Sequence, residues 1–395
     1  MNDTSSPSID GHCDQGFRAV RDAFEANLAE GLDVGAGVCV HIEGREVLNL
    51  WGGWANAGRT RSWNADTLVL VASATKALTA VCLLQLIEQG RVRLDAPVAK
   101  YWPEFAQSGK ADIPVEHLLT HRAGVPAIAS ALPSDALCHW DVMIRALEQQ
   151  APFWTPGAKH GYHSVTFGFL IGEVVRRVSG ISIGEYLREH VAKPLGLDFH
   201  VGLPASEDAR TADVIPADPS VDPVTPLFAE VLRRGAVPGS VTQLTMANPV
   251  MPRDFVNSRQ LRAAEIPAGN GHGTAQALAK FYSALSRGGA ERGVRVLERS
   301  TLADATRERV FGMDEVLGLR SRFGLGFMLR HELFPIGPNP AAFGHPGAGG
   351  NLGFADPALE LGFGYAMNRG KASAFGSPTA YRLVDALYES LRSAG

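Results

Sequence analysis

Two serines in this chain stand in patterns that could make a nucleophile. Ser73-Ala-Thr-Lys76 is S-x-x-K, and GISIG, Gly180 to Gly184, is G-x-S-x-G with Ser182 at its centre. In S-x-x-K the residues i and i+3 share one helix face, so the lysine amine can reach the serine hydroxyl. A serine at its free pKa is a poor nucleophile, and an adjacent desolvated lysine can activate it. The start of a helix adds free backbone N–H groups and partial positive charge, which favour an oxyanion. The motif is short, and its plain alternative is an N-cap serine followed by a surface lysine. The neighbours count against that alternative. Leu68 to Ala72 and Ala77 to Leu84 are apolar, which predicts a buried Lys76, where an unpaired amine is costly.

Ser182 has a different context. A nucleophile elbow needs a strand before the serine and a helix after it. Here Phe167, Leu170, Ile171, Val174, Val175 and Val178 recur at spacings of three and four, which predicts a helix. Gly180 reads as its C-cap, and Ser182 with Glu185 as the capping box of a next helix running to about Val191. Ser182 is therefore predicted to be a cap, and Ser73 the reactive serine.

The elements that must position these residues follow from periodicity. Residues 14–30 read as an amphipathic helix, and Gly35 to Gly53 as a hairpin about Glu43-Gly44-Arg45. Ala72 to Gly90 reads as a helix with a strong apolar face and a terminal glycine. Residues 95–200 are mostly helical. Residues 201–270 hold nine of the 24 prolines and few periodic runs, a long looped excursion expected to shape a pocket. Gly273 to Arg287 returns to helix, 323–330, 350–357 and 359–368 read as strands, and Pro378 to Leu391 as a closing helix. The expected fold is α+β, an α/β sandwich. One antiparallel sheet would be assembled from 1–94 and 271–395 and flanked by the terminal helices, with 95–270 inserted as a mostly helical domain.

Composition narrows the function classes. Apolar residues make up 45% and charged residues 20%, as in ordinary globular proteins. A net charge of -4 offers no electrostatic footprint for nucleic acid. There is no apolar run long enough to span a membrane. The N-terminal stretch MNDTSSPSIDGHCDQGF lacks a basic start and apolar run, and the protein is expected in the cytoplasm. The four cysteines form no CxxC pair and read as reduced thiols. His117 and His121 lack the glutamate of H-E-x-x-H and read as structural, and no metal or organic cofactor is expected. Oligomeric state leaves no mark.

Four ordered segments carry a resemblance. SATKALTAVCLLQLIEQGRVRLDAPVAKYWPEF from Ser73, VEHLLTHRAGVP at 115–126, PGAKHGYHSVTFGFLIGEVVRRVSG at 156–180 and GHPGAGGNLGFADP at 344–357 resemble the serine β-lactamase and penicillin-binding superfamily, specifically its class C-like esterase branch, the family VIII carboxylesterases. The resemblance implies Ser73 as nucleophile, Lys76 as its activating partner and Tyr162 as an aid to proton transfer. It implies the Ser73 and Ala348 N–H groups as an oxyanion hole, with Ser164, His345 and Gly347 on the substrate side. Two departures bear on substrate. Ser164 stands where the family's tyrosine motif has asparagine, and His345-Pro346-Gly347 stands for Lys-Thr-Gly. A neutral imidazole does not offset a substrate carboxylate, although an imidazolium forming near pH 6.5 would. The expected substrate is a small, neutral, short-chain ester hydrolysed through an acyl-enzyme. A β-lactamase, a D-aminopeptidase or amide hydrolase, an acyltransferase and a non-catalytic scaffold are the alternatives.

Overall fold

A computed structural model describes residues 8–218 and 220–393. The first seven residues of the polar N-terminal stretch lie outside them. One nine-stranded antiparallel sheet runs Ile9–Cys13, Arg45–Gly53, Gly35–Ile42, Leu361–Met367, Leu352–Asp356, Phe343–Pro346, Met328–Leu329, Arg320–Phe323, Val310–Met313. Both ends of the chain contribute to it, as expected. Gly35–Ile42 and Arg45–Gly53 are joined by Glu43 and Gly44, both at positive φ (53° and 73°). This is the backbone of a two-residue turn matched to strand twist.

Each face of the sheet is filled differently, and the strand sequences say why. Leu361, Phe363 and Tyr365 point with Val38 and Val40 into a core closed by helices Arg18–Ala29 and Pro378–Ser393. The alternating Gly362 and Gly364 face helix Ala275–Ser286. A Cβ on Gly364 would stand 2.1 Å from the Ala275 carbonyl oxygen, and one on Gly362 would stand 2.2 Å from the Ser283 nitrogen. Glycines on one face and large apolar residues on the other let this helix lie directly on the sheet. Its first turn is capped by Thr274, whose hydroxyl accepts from the Ala277 N–H at 3.0 Å.

Beyond that helix lies the helical layer. Helix Thr75–Glu88 runs through it and is buried from Thr75 to Leu86 on every side. The expected one-sided apolar face is absent because sheet, helix Thr166–Ser179 and helix Ile183–Leu187 enclose it together. Gly90 follows at φ 71°, the left-handed residue that ends the helix. A small ribbon, Val69–Leu70 and Phe199–His200 on either side of His272–Gly273, leads the chain into the Ser73 turn.

The 201–270 excursion departs from its looped reading. It contains helices Pro226–Gly235, Val241–Ala247 and Arg259–Ala263. The side chains of Thr225, Ser240 and Ser258 cap them, accepting from Phe228, Gln243 and Leu261 N–H groups. Helices this short show no sustained period, so the sequence reading missed them. Among the described residues no helix is long and apolar enough to cross a membrane. All four cysteines are unpaired.

Candidate active site

Ser73 sits in the 3-10 turn Ala72–Ala74, just before helix Thr75–Glu88 rather than within it. Ala72 takes φ 49°, a left-handed conformation that costs a non-glycine residue about 1 kcal/mol or more. Thr75 holds this backbone. Its hydroxyl donates to the Ala72 carbonyl at 2.6 Å and accepts from the Gly271 N–H at 3.0 Å. Strain kept in place by buried hydrogen bonds is a mark of functional turns.

Lys76 is fully buried. Its Nζ lies 3.0 Å from Ser73 Oγ, 2.7 Å from the Ser164 carbonyl oxygen and 2.8 Å from the Ala268 carbonyl oxygen. No carboxylate pairs with it among the described residues, and burial alone pushes its pKa well below the usual lysine range. A neutral amine fits these three partners. Two N–H bonds go to the carbonyls, and the lone pair is left to accept from the Ser73 hydroxyl.

Tyr162 lies under the same amine, with Lys76 Nζ 4.8 Å from its ring centroid. Burial raises its pKa above the usual phenol value, and the facing Ser73 hydroxyl partly offsets that. The loop carrying it is anchored from 152 residues away. Asp314, fully buried, accepts from the Tyr162, Val316 and Leu317 N–H groups at 2.9–3.0 Å and from the Ser321 hydroxyl at 3.1 Å. His121 and Phe323 pack against the ring, and His163 packs on His121. His163 donates to the Gly161 carbonyl at 2.7 Å and accepts from the Val125 N–H at 3.2 Å. Burial holds the pKa of His163 at about 4. His121 Nδ1 accepts from the His163 N–H at 3.1 Å.

Strand Phe343–Pro346 brings the third segment to Ser73. Gly347 is needed there, because a Cβ would stand 2.3 Å from the Val71 carbonyl oxygen. The turn closes with the Gly347 N–H donating to the Asn351 carbonyl at 2.7 Å. Among the described residues neither the Ser73 nor the Ala348 N–H has an intramolecular partner, so both remain available to an oxyanion. His345 is 1% exposed and its Nδ1 donates to the Pro346 carbonyl at 2.7 Å. Burial first, then the nearby Lys76, pushes its pKa down to about 3. The imidazolium expected near pH 6.5 therefore does not form, because burial takes the cation out of water without an anion to pair it. Ser164 faces the same cleft, and its carbonyl is one of the two that hold Lys76.

These groups open onto a cleft of about 300 Å³. Ser73, Tyr162, Ser164, His345, Gly347 and Ala348 line its floor, and Phe228, Val231 and Met246 of the 226–247 helices line its wall. Ser182 lies in another cleft, beside Glu265 and Arg176. Its hydroxyl accepts from the Glu185 N–H at 3.2 Å and donates to Glu265 at 2.6 Å. Ser182→Ala is expected to cost about 1 kcal/mol in urea unfolding and to leave activity nearly unchanged. A large activity loss in a folded Ser182→Ala protein would reverse the assignment of the two serines.

With fold and site in view, comparison with known proteins is direct. Residues 20–388 match the beta-lactamase family model, and the chain belongs to that family. The chain is 34% identical over 375 residues to the esterase/beta-lactamase LipL of Mycobacterium tuberculosis, covering 91% of this chain and 82% of LipL. It superposes on the crystal structure of a family VIII carboxylesterase with TM-score 0.88 at 42% identity, covering 97% of this chain and all of that one. A penicillin-binding protein homologue from Caulobacter crescentus gives TM-score 0.86 at 37% identity, over 97% and 100% of the two chains.

Proposed function

We propose that this protein hydrolyses small neutral carboxylic esters through an acyl-enzyme on Ser73. The observation that carries the reading is Lys76, a buried amine with no anionic partner among the described residues and its Nζ 3.0 Å from Ser73 Oγ. In the neutral form it takes the Ser73 proton as Oγ attacks the ester carbonyl carbon. The carbonyl oxygen becomes an oxyanion between the Ser73 and Ala348 N–H groups. As the tetrahedral intermediate collapses, the proton passes through the Tyr162 hydroxyl to the leaving alkoxide, and the alcohol departs. Water then attacks the acyl carbon, gives its proton back along the same path, and releases the acid.

The substrate class follows from the wall of the cleft. Among the described residues no charged side chain lines it, and Phe228, Val231, Met246 and Phe375 present apolar surface. His345 stays neutral there. Burying a substrate carboxylate against such a surface is costly, whereas a short acyl chain gains by burial. The names of the esterase relatives support the same reading. The test is p-nitrophenyl butyrate against nitrocefin. The ester is expected to show the far larger kcat/KM. If nitrocefin equals it, the esterase reading gives way to a β-lactamase.

A further inference from the structure

Far from the cleft, three metal-ligating side chains converge on the sheet. Cys39 Sγ, a His41 ring nitrogen and a Glu46 carboxylate oxygen all lie within 4.8 Å of one another. Sγ is 3.6 Å from Glu46 Oε2, and His41 Nε2 is 3.5 Å from the same oxygen. The convergence is built by the strands. Cys39 and His41 alternate onto one face of Gly35–Ile42. On Arg45–Gly53, Leu48 pairs with Val40 and Glu46 pairs with His41, so Val47 is the extra residue of a bulge. Leu48 and Val47 both point into the terminal-helix core. Without the bulge Glu46 would share their face. With it, the carboxylate turns to the side of Cys39 and His41.

A second observation points to a ligand. His41 is 5% exposed; among the described residues its Nδ1 has no partner, and its Nε2 makes no hydrogen bond and faces only the Glu46 carboxylate, 3.5 Å away. Buried imidazoles are ordinarily satisfied. Glu46, by contrast, is held by Gln276, whose Nε2 donates at 2.6 Å to the same Oε2 that faces Cys39 and His41, a bond that fixes the orientation of the carboxylate.

We infer that Cys39, His41 and Glu46 form a binding site for one borderline-soft divalent metal ion, for which zinc is the fitting choice. A thiolate, an imidazole and a carboxylate suit zinc, whereas magnesium and calcium take oxygen ligands. The two separations from the Glu46 carboxylate, 3.5 and 3.6 Å, match the ligand–ligand spacing of a tetrahedron with arms of roughly 2.0–2.3 Å, and the thiol and imidazole, within 4.8 Å of each other, close onto a shared ion by side-chain rotation. The half-exposed His12 lies on the open side, its Nδ1 3.6 Å from Glu46 Oε1. Gly35–Ile42 lies three strands from Phe343–Pro346, so the ion is a brace of the sheet and not a participant at Ser73.

The test uses the purified full chain stripped with chelator, in a Cys13→Ser/Cys138→Ser background that removes the two partly exposed thiols. Cobalt(II) and zinc(II) are titrated separately. The expected result is one equivalent of cobalt with a thiolate charge-transfer band and intense visible bands of tetrahedral cobalt, displaced by zinc, and a zinc-dependent rise in Tm. Cys39→Ser, His41→Ala and Glu46→Gln each lose these signals. Glu46→Gln keeps shape and the Gln276 contact region, so it serves if Cys39→Ser fails to fold. Absence of a stoichiometric thiolate band, or its persistence in Glu46→Gln and His41→Ala, overturns the site. Ester hydrolysis is unchanged in either outcome, so failure here is separate from failure of the esterase reading.

Discussion

Ser73→Ala is expected to lower kcat/KM for p-nitrophenyl butyrate by about 10⁴-fold or more, the range seen when a nucleophile is removed from a unit of cooperating groups. The loss is chemical and not structural. Ser73 Oγ is one of three partners of Lys76 Nζ, and the two carbonyl partners remain. The strained Ala72 is held by Thr75, not by the Ser73 side chain, so the turn survives. Tm should therefore change little. A fluorophosphonate should label wild type once, with the adduct mapping to the peptide containing Ser73, and should leave the variant unlabelled. Retained hydrolysis or labelling in Ser73→Ala would remove this serine from the reaction, and with it the argument from Lys76.

The residues of this prediction were readable from sequence because their chemistry is local or ordered. S-x-x-K places its two groups one turn apart in any helical conformation. The apolar flanks already implied a buried amine, and burial is what the fold supplies. Residues 359–368 were readable as a strand, while the reason glycines alternate with Leu361, Phe363 and Tyr365 appears only in the structure, where helix Ala275–Ser286 lies on the glycine face. The hairpin at Glu43-Gly44 and the Ser182 cap rest on turn and cap chemistry that acts within four residues.

What stayed hidden acts over long separations or in short pieces. Asp314 fixes the Tyr162 loop through a carboxylate bonded to a backbone N–H, and no spacing rule connects the two positions. Strands such as Ile9–Cys13 and Val310–Met313 are edges, where few side chains need to be apolar. The 226–247 helices were concealed by proline and length. His345 was read with its solution pKa, although its value is set by burial among groups that only the tertiary structure brings together. The cluster of Cys39, His41 and Glu46 depends on a single bulge, and a strict period-two reading puts Glu46 on the wrong face.

Lys76→Ala and Tyr162→Phe are each expected to lower kcat/KM by about 10²- to 10⁴-fold, the range of a positioned acid or base. Their effects should not add, because both groups stand on one proton path between Ser73 and the leaving oxygen. The shifts assign different roles along that path. Burial lowers the Lys76 pKa, so the neutral, accepting amine is populated at lower pH than in a free lysine. Burial raises the Tyr162 pKa, so its hydroxyl stays protonated and passes a proton rather than starting as an anion. The sign of the pH dependence follows. Activity requires neutral Lys76, so kcat/KM should rise with pH through the lowered lysine pKa and then level. That acid limb should lie well below the ordinary lysine value of about 10.4. Ionisation of Tyr162 should not cut the plateau near pH 10. In Tyr162→Phe the limb should persist at reduced height, and in Lys76→Ala it should vanish. Lys76→Ala also leaves the Ser164 and Ala268 carbonyls without their donor, so circular dichroism and Tm accompany the kinetics. The double variant should fall no lower than the weaker single one. An unchanged acid limb in folded Lys76→Ala would show that another group accepts the Ser73 proton. Losses that multiply in the double variant would place one of the two outside the path.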